Sequence, residues 1–368
     1  MGFKQCALEK MVTQDILDHF CGKTVLITGH TGFKGSWMTY LLSNHTVNVV
    51  GYSLEPNSKP NLYSELGLDS SCDSNIADVN DLHKISAVIE KAQPDFIFHM
   101  AAQPLVRYSY KNPIETFSTN IIGTANILEA CKVLKKKCCV VCITTDKVYH
   151  NNEWLYPYRE TDPLGGYDPY SSSKAAAELV IDSYRKSFFT NTNIYVASAR
   201  AGNVIGGGDW SEDRLIPDIV RSALNKEDVV LRNPNAVRPW QHVLDPLFGY
   251  LLLAKTMDEK GSEFCEAFNF GPRNDESKTV LEVCKTVLSQ LSDGNVVIED
   301  NYFQRPHEAG LLTLDISKSL NQLGWIPTWN SDKALKRTAA WYRGFLNAEN
   351  AKSLVDNDIN LFISNESI

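Results

Sequence analysis

No stretch of the 368-residue chain approaches the roughly 18 consecutive apolar residues needed to cross a bilayer. Met1 to Asp18 lacks an apolar signal core, so a cytoplasmic protein without a membrane partner is expected. Excess positive charge is also missing. With 36 Lys and Arg against 44 Asp and Glu, the formal charge of −8 gives no basic field for nucleic acid. Lys and Arg clusters must therefore act locally, for instance on a phosphate. The nine cysteines form no regular framework. Cys139-Val140-Val141-Cys142 has CxxC spacing, but it lies in an apolar, β-rich run where alternate residues face opposite sides of a sheet. No second Cys/His pair stands nearby to complete a zinc site, so no metal is expected. Internal repeats and low-complexity tracts are lacking, which excludes a solenoid.

What is present is ordinary globular composition, 43% hydrophobic and 22% charged, in a chain long enough for two lobes. Lys23 to Thr28 reads as a strand that stops in glycine, and Phe33 to Ser43 as a helix with Trp37, Tyr40 and Leu41 inward. Further strands are expected at Val47 to Tyr52, Phe96 to Met100 and Cys138 to Thr144, with a helix at Ile121 to Val133. Alternation of this kind implies an α/β fold, a Rossmann-type doubly wound parallel sheet. Beyond about residue 200 glycine and proline clusters mark a smaller C-terminal α/β lobe, with helices at Leu247 to Met257 and Thr279 to Leu291. The division expected is 1–204 plus about 240–272 for the cofactor lobe and about 205–239 plus 273–350 for the substrate lobe. Residues 351–368 read as a loosely ordered tail.

Between the first strand and helix, Thr28-Gly29-His30-Thr31-Gly32-Phe33-Lys34-Gly35-Ser36 spaces its glycines as GxxGxxG. Gly29, Gly32 and Gly35 permit a tight turn and close approach to a pyrophosphate, which the free N–H groups of the helix start would bind. A nicotinamide dinucleotide is the expected cofactor. An acidic residue commonly ends the second strand and selects NAD over NADP by binding the ribose, but Tyr52-Ser53 stands here. NADP thus stays open, and Lys34 or Lys59 would suit its phosphate. Asp78 is placed to meet the adenine amino group, or else belongs to a helix N-cap region.

Tyr170-Ser171-Ser172-Ser173-Lys174 opens a predicted helix and sets Tyr170 and Lys174 on one face. An ammonium beside a phenol stabilises the phenolate, so Tyr170 can take a hydroxyl proton as hydride leaves the same carbon. Thr145, Asp146 and Lys147 follow the cysteine strand at the sheet edge where ligands bind. Thr145 can steady the reacting hydroxyl, Asp146 can protonate a leaving oxygen, and a desolvated Lys147 can act as a base.

Taken together, TGHTGFKGSW at 28–37, HMAAQ at 99–103, ITTDKVY at 143–149, YSSSK at 170–174 and RAGNVIGGGDW at 200–210 resemble the extended short-chain dehydrogenase/reductases. RPWQHVLD at 238–245, NFGP at 269–272, HEA at 307–309 and LGWIP at 323–327 bring the likeness, over about residues 20–345, to the nucleotide-sugar 4,6-dehydratases. Thr-Asp-Lys in place of Thr-Asp-Glu resembles their CDP-glucose branch. The resemblance implies a bound NAD that is not consumed, a CDP-glucose substrate, and a homodimer or dimer of dimers. It further implies cofactor contacts from Thr31, Phe33, Lys34, Ser53, Asp78, Val79, Ala101 and Ala102. Substrate contacts are expected from Gln103, Asn203, Arg232, Arg238, His307 and Glu308. The rival readings are a nucleotide-sugar epimerase, which needs no acid for a C6 hydroxyl, and a non-catalytic dinucleotide-binding sensor.

Overall fold

The structure, a computed structural model, describes residues 13–291, 294–299 and 310–364. Seven parallel strands form its centre: β1 (Thr24–Thr28), β2 (Asn48–Ser53), β3 (Asp73–Ile76), β4 (Phe96–His99), β5 (Cys138–Ile143), β6 (Ile194–Ala201) and β7 (Ala267–Phe270). They lie in the order β7-β6-β5-β4-β1-β2-β3, with the reversal beside β1. Thr28 pairs with Tyr52 on one side and His99 on the other, so the loops after these strands open on one edge. That edge is where a doubly wound sheet binds its ligands.

Strand β5 shows why the sheet centre reads as continuous apolar sequence. All six of its residues are buried, as expected for a parallel strand covered on both faces. Cys139 packs in the core on one face with Val141, and Cys142 on the other with Val140. The two CxxC thiols thus point to opposite sides. Burial pushes the Cys142 thiol up to about 12 and Cys139 higher, which leaves both as inert apolar filling.

Helix α1 (Phe33–Ser43) buries every residue from Gly35 to Leu42. It is enclosed because the C-terminal half closes over it: Trp37 Nε1 donates to Gly207 O at 3.0 Å. In that half, Val204–Ile205 pairs with Gln241–His242, and Val229–Leu231 pairs with Val296–Ile298. The loosely ordered tail is a correction. Ala351–Ser364 is a helix whose Val355 and Phe362 are buried in the main core. Its charged spine is pinned too, since Arg337 Nε donates to the buried Asp358 at 2.7 Å.

Asp245 ties the segment at 328–329 to helix Leu244–Lys260, because its Oδ1 accepts from Thr328 N at 2.6 Å and Trp329 N at 3.3 Å. Its Oδ2 is buried without a hydrogen-bond partner. Burial pushes this carboxyl up to about 7, so the folded state holds a proton that the unfolded chain releases near 3.8. The associated stability is present at acid pH and is lost as pH rises towards 7. Asp245→Asn should therefore melt several degrees above wild type at about pH 8 and with it at about pH 4, in thermal unfolding followed by circular dichroism.

Candidate active site

The loop after β1 turns where the glycines demand it. Gly29 has φ +74°, and a Cβ there would lie 2.8 Å from Ala101 N. At Gly35 a Cβ would lie 2.0 Å from Gly29 O, so α1 can approach the strand only without a side chain. Gly32 caps α1 in extended geometry with no side-chain cap and no acidic residue in the first turn. The helix start thus offers bare N–H groups beside a cradle that side chains would fill, which fits a dinucleotide pyrophosphate.

The residues expected to face the adenosine, Thr31, Ser53 and Asp78, gather at the ends of β1, β2 and β3. Thr31 Oγ1 stands 2.9 Å from Ser53 Oγ and donates to Leu54 O at 2.8 Å. Tyr52 donates its hydroxyl to Asp78 O at 2.9 Å, while the Asp78 carboxylate accepts from Asn80 N at 2.9 Å. The following helix, Leu82–Ala92, is capped by Asp81 instead of Asp78. Val79 is buried at the same corner, against Gly123.

A cleft of about 550 Å³ opens beyond the glycine loop. Phe33, Lys34 and Ala102 line it from the sheet side, and Thr145, Asp146, Lys147, Tyr170 and Lys174 from the loop after β5 and the helix Pro169–Ser187. Asn203, Arg232 and Arg238 reach the same cleft from the C-terminal half. Asp168 starts the helix by accepting from Ser171 N at 2.9 Å, with Pro169 at its first position, and so fixes where Tyr170 points.

Burial sets the electrostatics. It pushes the Tyr170 phenol up to about 12, against lowering by hydrogen bonding with Thr145 and by the charge of Arg214. Lys174 is pushed down to about 8 by burial and donates to Ile143 O at 3.1 Å. Both side chains line the same cleft. Asp146 is raised by burial, with Lys147, Thr145 and Arg238 acting against it, and accepts from Thr145 Oγ1 at 2.9 Å. Burial thus shifts this carboxyl towards the form that can donate a proton.

Two expected assignments change. Gln103 does not line the cleft: its Nε2 donates to Thr116 Oγ1 at 2.8 Å and its Oε1 accepts from Leu105 N at 2.6 Å. Its amide braces its own loop. Lys34 does not serve a ribose phosphate, because its Nζ lies over the Tyr250 ring at 5.9 Å. There burial and the charges of Arg214 and Lys174 push it down to about 7. Arg238 donates to Val237 O at 2.9 Å and Gly310 O at 3.2 Å as well as lining the cleft. His307 and Glu308 lie outside the described residues.

Several neighbours escaped the sequence reading. Gly202 leaves room for the acid, since a Cβ there would lie 2.5 Å from Pro239 Cγ and 3.2 Å from Asp146 Oδ2. Glu178, one turn beyond Lys174, accepts from Thr144 Oγ1 at 2.5 Å, Ser198 Oγ at 2.8 Å and Arg200 Nη2 at 2.8 Å. This buried set anchors the strand end that carries Thr145 and Asp146. The stripe Tyr170, Lys174, Glu178 at four-residue spacing was the available signal.

The chain is similar to known proteins in sequence and fold. The family model described as GDP-mannose 4,6 dehydratase matches residues 26–338. The CDP-glucose 4,6-dehydratase of Salmonella typhimurium is 46% identical over 89% of this chain and 92% of its own. The dTDP-glucose 4,6-dehydratase of Haemophilus influenzae is 27% identical over 86% of this chain and 97% of its own. Among solved structures, the Bacillus anthracis dTDP-glucose 4,6-dehydratase in complex with NAD superposes with a TM-score of 0.72 at 24% identity, covering 90% of this chain and all of that one. The chain accordingly belongs to the GDP-mannose 4,6 dehydratase family, within the extended short-chain dehydrogenase/reductases.

Proposed function

We propose that the chain converts CDP-D-glucose into CDP-4-keto-6-deoxy-D-glucose and water. The observation that carries this reading is a buried Asp146, its carboxyl raised by that burial, in the same cleft as Tyr170 and Lys174 and followed by Lys147. A reaction confined to C4 has no use for that acid. Tyr170 takes the C4 hydroxyl proton, Thr145 holds the oxygen, and Lys174 supplies positive charge to the phenolate. Bound NAD supplies the acceptor for the hydride lost from C4 and the donor of the hydride returned to C6. The ketone at C4 acidifies C5, whose proton passes to a base in the Lys147 region. Asp146 protonates the C6 hydroxyl, which departs as water, and a proton is returned to C5 as C6 receives the hydride.

NAD is supported over NADP by the NAD-bound relative and by a Lys34 whose Nζ lies over the Tyr250 ring, within reach of the charges of Lys174 and Asp146. Asn203, Arg232 and Arg238 are assigned to the substrate diphosphate, because an Arg fork matches phosphate oxygens. The cofactor lobe comprises residues 1–204 with about 240–272, and the substrate lobe about 205–239 with 273–350. Ile122 and Leu179 are exposed on the helices that would pair two copies, which supports a homodimer. No helix among the described residues is long and apolar enough to cross a membrane, in keeping with cytoplasmic work on a soluble substrate.

Assaying the glucose nucleotides of CDP, UDP, GDP and dTDP side by side tests the reading. CDP-glucose should react fastest and yield an alkali-sensitive 4-keto chromophore with no net reduced nicotinamide. Formation of a C4 epimer instead would make the protein an epimerase, and stoichiometric reduced nicotinamide an ordinary dehydrogenase.

A further inference from the structure

One guanidinium, that of Arg200 near the end of β6, reaches both ends of the segment that carries the reactive side chains. Thr144 opens this segment directly after β5 and Tyr149 closes it, with Thr145, Asp146 and Lys147 between them. Arg200 Nη2 donates to Glu178 Oε2 at 2.8 Å, and Glu178 Oε1 accepts from Thr144 Oγ1 at 2.5 Å. Arg200 Nη1 donates to the Tyr149 hydroxyl oxygen at 2.9 Å and to Glu160 O at 3.2 Å. The Tyr149 hydroxyl in turn donates to Asn269 Oδ1 at 2.6 Å. Arg200 begins the motif at 200–210 and Asn269 begins NFGP at 269–272, so two sequence motifs meet on one phenol.

Burial makes this set exacting. Arg200 and Glu178 are each 4% exposed and Tyr149 is 1% exposed. Burial alone would raise the Glu178 carboxyl, but the charge and hydrogen bond of Arg200, together with Thr144 and Ser198, hold it below its ordinary value. A buried ion pair keeps both partners in place, because moving one leaves the other charge unpaired in apolar surroundings. The planar guanidinium suits the task, since its N–H groups point in fixed directions, whereas an ammonium has no such fork. Tyr149 is held by its ring as well, stacked on Tyr158 at 5.2 Å with the Arg200 guanidinium over it at 5.1 Å. Thr144 and Tyr149 line the cleft with Thr145, Asp146 and Lys147, while Arg200 stands behind them.

We propose that Arg200 is a positioning residue for the reaction: it spans the segment 144–149, through Glu178 to Thr144 and directly to Tyr149, and so sets where Thr145, Asp146 and Lys147 meet the sugar. The roles of those three side chains rest on the nucleotide-sugar reading above; the spanning contacts do not. Glu178 lies one turn beyond Lys174, so the same contacts fix the segment against the helix that carries Tyr170 and Lys174. Acid, base and hydroxyl partner thereby keep one spacing relative to the phenol. A misplacement of about 1 Å at such groups costs about 10²-fold in rate, so a residue that never touches the sugar can govern turnover. Its loss should be felt in kcat and spare KM.

Steady-state kinetics of the full chain, on the glucose nucleotide that wild type turns over fastest, tests the proposal. Calorimetry with CDP counts the binding sites, and thermal unfolding reports the fold. Arg200→Lys keeps a positive charge facing Glu178 but cannot span to Tyr149. Tyr149→Phe leaves the ion pair whole and removes only the second link. Each should lower kcat per binding site by about tenfold or more, with KM within about threefold of wild type. The double variant should lose little beyond Arg200→Lys, because the two changes break one link. Should Arg200→Lys fail to fold, Tyr149→Phe carries the test by itself. A lower melting temperature with fewer binding sites but unchanged kcat per site would make the set a structural brace and overturn the proposal, as would a raised KM at unchanged kcat. A C4 epimer as the wild-type product would overturn the dehydratase reading alone, because kcat and KM are read on whichever reaction occurs.

Discussion

Tyr170→Phe is expected to lower kcat by about 10²- to 10⁴-fold, the range for a positioned proton acceptor, while the nucleotide sugar still binds. The substitution removes one oxygen from a buried helix start whose geometry is held by Asp168 and Ser171 through other atoms. Folding should be unaffected. The phenol must lose its proton for C4 to be oxidised, yet burial holds it up at about 12 and the Lys174 ammonium is engaged by Ile143 O. Catalytic contacts of this kind commonly tighten only when substrate is present. Lys174→Met should accordingly cost nearly as much as Tyr170→Phe, with little added by the double change, since the two act as one unit. Single-turnover kinetics by rapid quench measures both.

The second large effect concerns Asp146. Asp146→Asn should slow loss of water about 10²-fold or more and leave C4 oxidation largely intact. Reduced-nicotinamide absorbance should then build up after mixing and persist, where in wild type it decays. Burial raises this carboxyl, so at neutral pH it keeps more of its proton than an exposed Asp would. As pH rises through its pKa the acid form is lost, and the wild-type elimination rate should fall. The Asn variant should lack that alkaline limb. Equal loss of oxidation and elimination would remove Asp146 from the role of acid.

Much of this site was legible because its chemistry sits in short, contiguous motifs. The glycine loop follows a strand and opens a helix, and Thr145-Asp146-Lys147 follows β5, so sequence position alone brings them to one sheet edge. Residues whose role depends on a partner far along the chain were not legible. Arg232 was expected at the cleft, but its meeting there with Arg107 and Asp213, which come from separate parts of the chain, is announced by no local pattern. Gln103 was misread because its motif borders the cleft, while its amide is consumed by Thr116 and Leu105, whose positions only the loop geometry fixes. Lys34 looked like a phosphate ligand from its place in the loop. Its long stem instead carries the charge towards Lys174 and Asp146. The final helix was hidden by Asp356, Asn357 and Asp358, which dilute its apolar face; burial of Asp358 against Arg337 turns one of those polar residues inward.

The central claim is that one hydrogen leaves C4 and the same hydrogen arrives at C6, within one active site and without net consumption of NAD. CDP-glucose deuterated at C4 measures this directly, with the product analysed by nuclear magnetic resonance. The account predicts a 4-keto-6-deoxy product that carries the deuterium at C6 and a solvent-derived proton at C5. A product without deuterium at C6, or release of deuterated reduced nicotinamide in step with turnover, would contradict it.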